Sequence, residues 1–456
     1  MSRALLLSGL LLGLLTICGI WVDAPHSAGA LHGMRIDRLT GILAVSAAVY
    51  LAAVAVVLRA PQPARAVWWV LSIAVVLRLL LVTLPPALST DVYRYVWDAR
   101  VQAAGINPYR FIPADHALAG LRDAAVYPFI NRADYARTIY PPVAQLVFAA
   151  VGWLWDSVIA MKLVMVGFEA LGMACILRLL ARAGLPRERV LIYAWNPLPL
   201  WSFASDGHVD ALAIGLLGLA LLLRTQRREG WAGAVLAGAV LVKFLPVVVA
   251  PAFLRGGPFW RPALAGTAVI MALYALYSTA GAHVLGFLPG YREEEGIADG
   301  SGFWLLAGLA RLVALPPAAA AVYLASVAAA FLAAILWLRR QPAAPADAVS
   351  LCRDAGFLMA ATMIAVSPRY AWYFAWLALP AVVAPSPGII WLSAASVLFH
   401  VDPWNERFVW RALVFGPALL LFAAEALRGW RAGLSARASR PPAPGHWPVP
   451  PCPPRS

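Results

Sequence analysis

The stretch Asp91-Val92-Tyr93-Arg94-Tyr95-Val96-Trp97-Asp98-Ala99-Arg100 carries the densest chemistry in the chain. On a helix, Asp91, Arg94, Tyr95 and Asp98 stand three and four residues apart and share one face. A carboxylate so placed can take a proton from a hydroxyl as general base. Arg94 or Arg100 can hold a phosphate by a forked hydrogen bond. The same pattern also describes a solvated amphipathic helix with ordinary ion pairs.

Four further groupings stand out. Asn196-Pro197 precedes Ser205-Asp206-Gly207-His208-Val209-Asp210, where two carboxylates and an imidazole fall between apolar flanks. Ionisable groups at such depth are costly and mark functional sites; the alternative is a short interhelical loop. Lys243 lies inside the apolar run 231–254. An ammonium there needs an anion, such as a lipid-linked phosphate, or a water-filled cavity, unless it snorkels to the surface. Tyr140-Pro141-Pro142 reads as a helix start. Ser367-Pro368-Arg369-Tyr370-Ala371-Trp372-Tyr373 is a helix break; an interfacial aromatic belt accounts for its tyrosines and Trp372 better than for Arg369.

The elements that position these residues follow from composition. Of 456 residues, 62% are hydrophobic and 13% charged, about half the charged share of a soluble protein. That excludes a water-soluble globular enzyme, a disordered chain and a disulfide scaffold. At about 20 apolar residues per crossing, the length admits about ten to thirteen transmembrane helices. The expected fold is an all-α, polytopic transmembrane bundle. The 36 basic and 22 acidic residues leave a net charge of +14. Nucleic acid is not the expected partner, because the arginines are scattered between apolar runs, where they fix topology. The four cysteines show no metal-ligand spacing, so neither a disulfide framework nor a zinc site is expected.

The chain divides into N-terminal membrane helices (1–86), a charged, aromatic outer loop (87–139), the main bundle (140–433) and a Pro-rich tail (434–456), expected to be disordered and cytoplasmic. Within the loop, 91–104 and 115–125 read as short helices on the membrane surface, separated at Asn107-Pro108. The main bundle includes a second, acidic outer loop, 286–302, with Glu293, Glu294, Glu295 and Asp299. Arg59 and Arg65 mark a cytoplasmic turn, which puts 87–139 outside. The clusters Arg182/Arg187/Arg189, Arg224/Arg227/Arg228 and Arg255/Arg261 all look cytoplasmic, yet single crossings between them cannot place all three on one side. Several runs are short, so broken or re-entrant helices around a cavity are expected. Nucleotide glycine fingerprints and common hydrolase motifs are absent.

Asp91-Val92-Tyr93-Arg94-Tyr95, Gly105-Ile106-Asn107-Pro108-Tyr109 and Tyr140-Pro141-Pro142 resemble the first outer loop of the C-type membrane glycosyltransferases. Asn196-Pro197, Asp206-Gly207-His208-Val209-Asp210 and Lys243-Phe244-Leu245-Pro246 are similar to later motifs of the same group. The likeness is closest to glycosyltransferase family 87 and bacterial α-mannosyltransferases that use polyprenyl-phosphate mannose, and it covers roughly residues 66–380. It implies a multi-pass enzyme of the cell (inner) membrane with its active site facing the periplasm or exterior. The enzyme would pass a hexose, with mannose expected, from a polyprenyl-phosphate donor to a glycan or lipid acceptor with inversion. Asp91 occupies the position of the catalytic acidic residue. Arg94, Arg100, Lys243 and Arg369 are the candidates to hold the phosphate; Asp206, His208 and Asp210 would line the pocket, with Tyr95, Asp98, Tyr109, Tyr140 and Tyr370 completing the substrate set. Many relatives pair two acidic residues at the first motif. Here the next acid after Asp91 is Asp98, so neither a metal nor another cofactor is expected. The rival reading is a transporter or flippase of a lipid-linked saccharide; the long polar outer loop favours the enzyme.

Overall fold

In a computed structural model, the structure describes residues 2–23, 32–253, 255, 259–341, 347–402 and 407–438. The described residues are helical, with no strand. The helices are α1 (Arg3–Asp23), α2 (His32–Arg59), α3 (Ala66–Val82), α4 (Asp91–Ala103), α5 (Pro142–Leu154), α6 (Val158–Arg182), α7 (Leu191–Ala194), α8 (Pro197–Pro199), α9 (Asp210–Thr225) and α10 (Glu229–Val240). They continue as α11 (Ala250–Phe253), α12 (Trp260–Leu276), α13 (Leu288–Glu294), α14 (Trp304–Ala310), α15 (Ala319–Arg340), α16 (Ala348–Val366), α17 (Ala378–Val383), α18 (Pro387–Ala395) and α19 (Phe408–Ala438).

Among the described residues, six helices are long and apolar enough to cross a membrane, or up to eight if each of two sharply bent pairs is one span. That is fewer than the ten to thirteen expected; four further apolar helices, Ala66–Val82, Pro142–Leu154, Ala371–Val383 and Pro387–His400, are shorter. The outward side chains of these helices are themselves apolar: Leu7, Leu14, Val76, Leu264 and Leu332 are all exposed. Hydrocarbon does not penalise them, so the inner packing depends on small residues and polar clamps. Gly172 on α6 meets Gly215 and Gly218 on α9 at backbone distance. Between α3 and α6, Arg78 makes a two-pronged bond to Glu169 (2.6 and 2.8 Å) and donates to the Ala194 carbonyl (3.0 Å), all buried. The clamp thus ties two long helices to the broken segment after α6.

The arginine conflict resolves in three dimensions. The Arg182 guanidinium donates to the Thr225 carbonyl, Arg224 donates to the carbonyls of Phe253 and Arg255, and Arg255 pairs with Asp354. All three clusters therefore gather at one end. Between them the chain goes across and comes back. Residues 191–205 lead away and α9 returns after a 120° bend; α10 leads away and 245–253 return. Residues 231–253 are thus a hairpin of half-helices. Lys243 sits at its tip, after α10 has ended, and not in the middle of a span.

The stretch 87–139 also differs from the expected pair of surface helices. The helix at Asp91 forms, but it is sunk into the bundle, with Val92, Tyr95, Trp97, Asp98 and Val101 buried. Thr90 caps it by position only; the Ser89 hydroxyl accepts from the Asp91 amide (3.3 Å). The second helix shrinks to a 3-10 turn, His116–Leu121, capped by Asp115, and it stops where the Arg122 backbone turns extended (ψ 137°). At the C-terminus α19 continues to Ala438, into the segment expected to be disordered; residues 439–456 of the Pro-rich tail lie outside the described residues.

Candidate active site

A cavity of about 620 Å³ opens beside the N-terminus of α4. Its walls come from 86–91, the loop segment 131–141, the hairpin tip at Lys243, Phe287 and Tyr291 at and within the start of α13, and the break 370–373.

Asp91 stands on this wall in the first turn of α4. Asn131 Nδ2 donates to its Oδ1 (2.5 Å) and the Tyr140 hydroxyl to its Oδ2 (3.2 Å). Both donors are neutral. Among the described residues no arginine or lysine forms an ion pair with Asp91, so its negative charge stays available to a reaction.

Behind Asp91 lies the turn at 206–210. Gly207 has φ +69°, and a Cβ there would stand 2.7 Å from Lys162 Cγ and 3.0 Å from Val92 Cγ2. Only glycine meets both demands, and the turn then presses His208 against α4. His208 Nδ1 lies 3.9 Å from Asp91 Oδ2 and 3.6 Å from Asp210 Oδ2. Its ring stacks on Trp372 (4.1 Å), which stacks in turn on Tyr370 (4.6 Å). Asp210 accepts from Lys243 Nζ (2.8 and 3.0 Å) and Trp376 Nε1 (2.7 Å). Asp206 faces away from the cavity and accepts from the amides of Ala87 and Leu88 (2.8 and 3.0 Å). Lys162 Nζ donates to the carbonyls of Leu81 and Leu84 (3.3 and 2.6 Å). Lys162 and Asp206 together fix the Pro85-Pro86 approach to Asp91.

The other predicted residues divide in two. Arg94, Tyr140, Lys243 and Tyr370 share the cavity wall with Asp91. Asp98 is buried under the wall, where it holds Arg94 (2.9 Å), Thr138 (2.5 Å) and Gln145 (2.9 Å). Tyr95 is buried and donates nothing to the cavity; its oxygen accepts from the Val209 amide (3.3 Å). Arg369 pairs with Glu295 (2.9 Å) behind Tyr370. The structure does not bring Arg100 or Tyr109 to the cavity. Arg100 bridges Asp123 and Asp156 (2.7 and 2.9 Å); Tyr109 is buried against Tyr277 and donates to the Tyr140 carbonyl (2.6 Å).

Charge pairing ranks the cations on the wall. Arg94 faces Asp98, Lys243 faces Asp210, and Arg132 faces Glu294 (2.8 Å). Burial alone would lower the Arg132 pKa, but the Glu294 carboxylate and the Tyr370 oxygen outweigh it and the pKa is raised, so Arg132 stays charged. Glu295 beside it has its pKa raised, because burial outweighs the Arg369 charge. Arg137 is half-buried and donates to the Arg110 carbonyl (3.1 Å); among the described residues it has no carboxylate partner. No group of three His, Cys, Asp or Glu among the described residues is placed to hold a metal ion.

Sequence reasoning missed several of these residues. Lys162 carried a usable signal, a lysine within an apolar run like Lys243. Arg78 and Glu169 carried the same one. Asn131 and Arg137 carried none, since the loop around them is rich in similar residues.

A family model described as alpha-(1->6)-mannopyranosyltransferase, N-terminal domain, matches residues 3–255. No curated protein and no solved structure matches the chain. The matched stretch contains α4, the loop 104–141, the 206–210 turn and Lys243, the groups that surround Asp91. The cavity thus lies mostly within the matched part, and the chain belongs to the alpha-(1->6)-mannopyranosyltransferase family, a membrane glycosyltransferase.

Proposed function

We propose that the cavity transfers mannose from a polyprenyl-phosphate donor to a hydroxyl of a glycan or lipid acceptor, with inversion, at the extracytoplasmic face. The observation that carries this is the pairing, on the same wall, of one carboxylate, Asp91, that no arginine or lysine among the described residues pairs with, and one cation, Arg137, that no carboxylate among them pairs with. Asp91 removes the acceptor proton as its oxygen attacks the anomeric carbon. The bond to the phosphate oxygen breaks and its electron pair stays on the phosphate. Arg137 meets the charge that develops there. A single in-line displacement inverts the carbon. Among the described residues the wall offers no second carboxylate to act as nucleophile, since Asp210 is buried and engaged by Lys243 and Trp376. The arginine clusters gather at the end away from Asp91, and basic residues favour the cytoplasm; that supports the outward face and a lipid donor over a cytosolic sugar nucleotide.

The test is transfer by the purified protein in lipid nanodiscs, with polyprenyl-phosphate mannose and GDP-mannose compared. Product is expected from the lipid donor alone; product from the nucleotide alone would overturn the reading. Arg137→Met keeps the apolar stem and removes the charge. A charged hydrogen bond is worth about 1.5–3 kcal/mol, so kcat/KM for the donor is expected to fall about ten- to a hundredfold, with kcat falling too because the contact strengthens as charge develops on the phosphate. An unchanged kcat/KM would take Arg137 out of the phosphate site.

A further inference from the structure

His208 is the least satisfied polar group near the cavity. Its side chain is 1% exposed, and neither ring nitrogen has a hydrogen-bond partner among the described residues. Buried polar groups are nearly always paired, and an orphan calls for an explanation. Packing alone would favour phenylalanine here, since the ring lies flat on Trp372. The imidazole instead has Nδ1 between two carboxylates, 3.9 Å from Asp91 and 3.6 Å from Asp210. Both distances exceed a hydrogen bond, but catalytic contacts commonly tighten when substrate binds.

We propose that His208 is a proton relay that takes the proton from Asp91 and resets it for the next turnover, without touching the substrate. The idea rests on Asp91 as the base. After Asp91 has accepted the acceptor proton, its O–H bond breaks and the electron pair returns to the carboxylate. The proton joins the lone pair on His208 Nδ1. Asp91 regains its negative charge as His208 gains a positive one, and Asp210 stands beside the imidazolium. The proton then passes by way of Asp210 Oδ2, 3.6 Å away, to Lys243, which lines the cavity and gives up one of its own protons to water there as product leaves. The charged and titratable groups around the ring are Asp91 from α4, Asp206 in the same turn, Asp210 from α9, Lys243 from the hairpin tip and His400 from the 3-10 turn Ser396–His400. Asp210 is matched by Lys243 and Asp206 is held by backbone amides, which leaves Asp91 as the group with a proton to give.

Full-length His208→Phe and His208→Gln, assayed beside Asp91→Asn, test this. Phenylalanine keeps the stack on Trp372 and removes both nitrogens. Its kcat is expected to fall on the order of a hundredfold, the usual scale for a lost proton-transfer group, with the donor KM unchanged. Its Tm is expected to stay equal or rise, because two orphaned polar atoms become carbon; a merely structural histidine would lower it. Glutamine offers Asp91 an amide but carries no proton, so it is expected to be slow as well. Near wild-type turnover in the Phe variant, or restoration by Gln, would overturn the relay while leaving Asp91 as base. Turnover in Asp91→Asn would overturn the base assignment itself, so the two failures are distinct.

Discussion

Asp91→Asn is expected to lower kcat by about 10²–10⁴-fold, the range for removing a positioned general base. The substitution changes almost nothing else. The asparagine oxygen can still accept from Asn131 Nδ2, and its position in the first turn of α4 is unaltered. Loss of the charge at a helix N-terminus costs only about 0.3–1 kcal/mol, too little to unfold the protein. Lys243 and Arg137 remain in place, so the donor KM is expected to hold. Single-turnover transfer at saturating donor is the measurement. Near-normal turnover would remove Asp91 from the role of base and would also leave His208 with no proton to relay.

The second large effect concerns the clamp far from the chemistry. Arg78→Met is expected to destabilise the protein by about 3–5 kcal/mol, because it strands Glu169 as an unpaired buried charge. Arg78 and Glu169 are 2% and 0% exposed, so solvent does not soften the loss. Arg78→Met with Glu169→Met should recover most of the stability, since apolar groups of similar volume replace a buried pair at little cost. Thermal unfolding in detergent reads both variants. A single variant as stable as the wild type would mean that the clamp carries no weight. The clamp also holds the Ala194 carbonyl, at the start of the segment that ends in Asp206, His208 and Asp210. The single variant should therefore lose activity at temperatures where the rest of the bundle survives.

Much of the chemistry was legible without coordinates. Asp91 at the start of a helix follows from spacings of three and four. His208, Asp210 and Lys243 announce themselves as ionisable residues between apolar runs, where a charge needs a reason. The all-α membrane class follows from composition alone, because only a closed pattern of backbone hydrogen bonds survives in hydrocarbon and short apolar runs of this kind form helices.

Tertiary structure decided what each charge is free to do. Arg94, Lys243 and Arg137 are all cations on the cavity wall. They differ because Asp98 and Asp210 neutralise the first two, and nothing among the described residues neutralises the third. Partners lie far apart along the chain: Asn131 is 40 residues from Asp91, and Glu294 is 162 residues from Arg132. No window of sequence holds both members of such a pair. The same limit hid the topology. Hydropathy measures the length of an apolar run, not whether the chain reverses inside it, and the run 231–253 reverses at Lys243. Burial of α4 was equally out of reach, since its amphipathic pattern suits a surface as well as a plug; the packing of α5 and α6 against it selects the plug. Residue types and local spacing thus set which groups can react. Their neutralisation, and so their function, depends on contacts that only the folded chain makes.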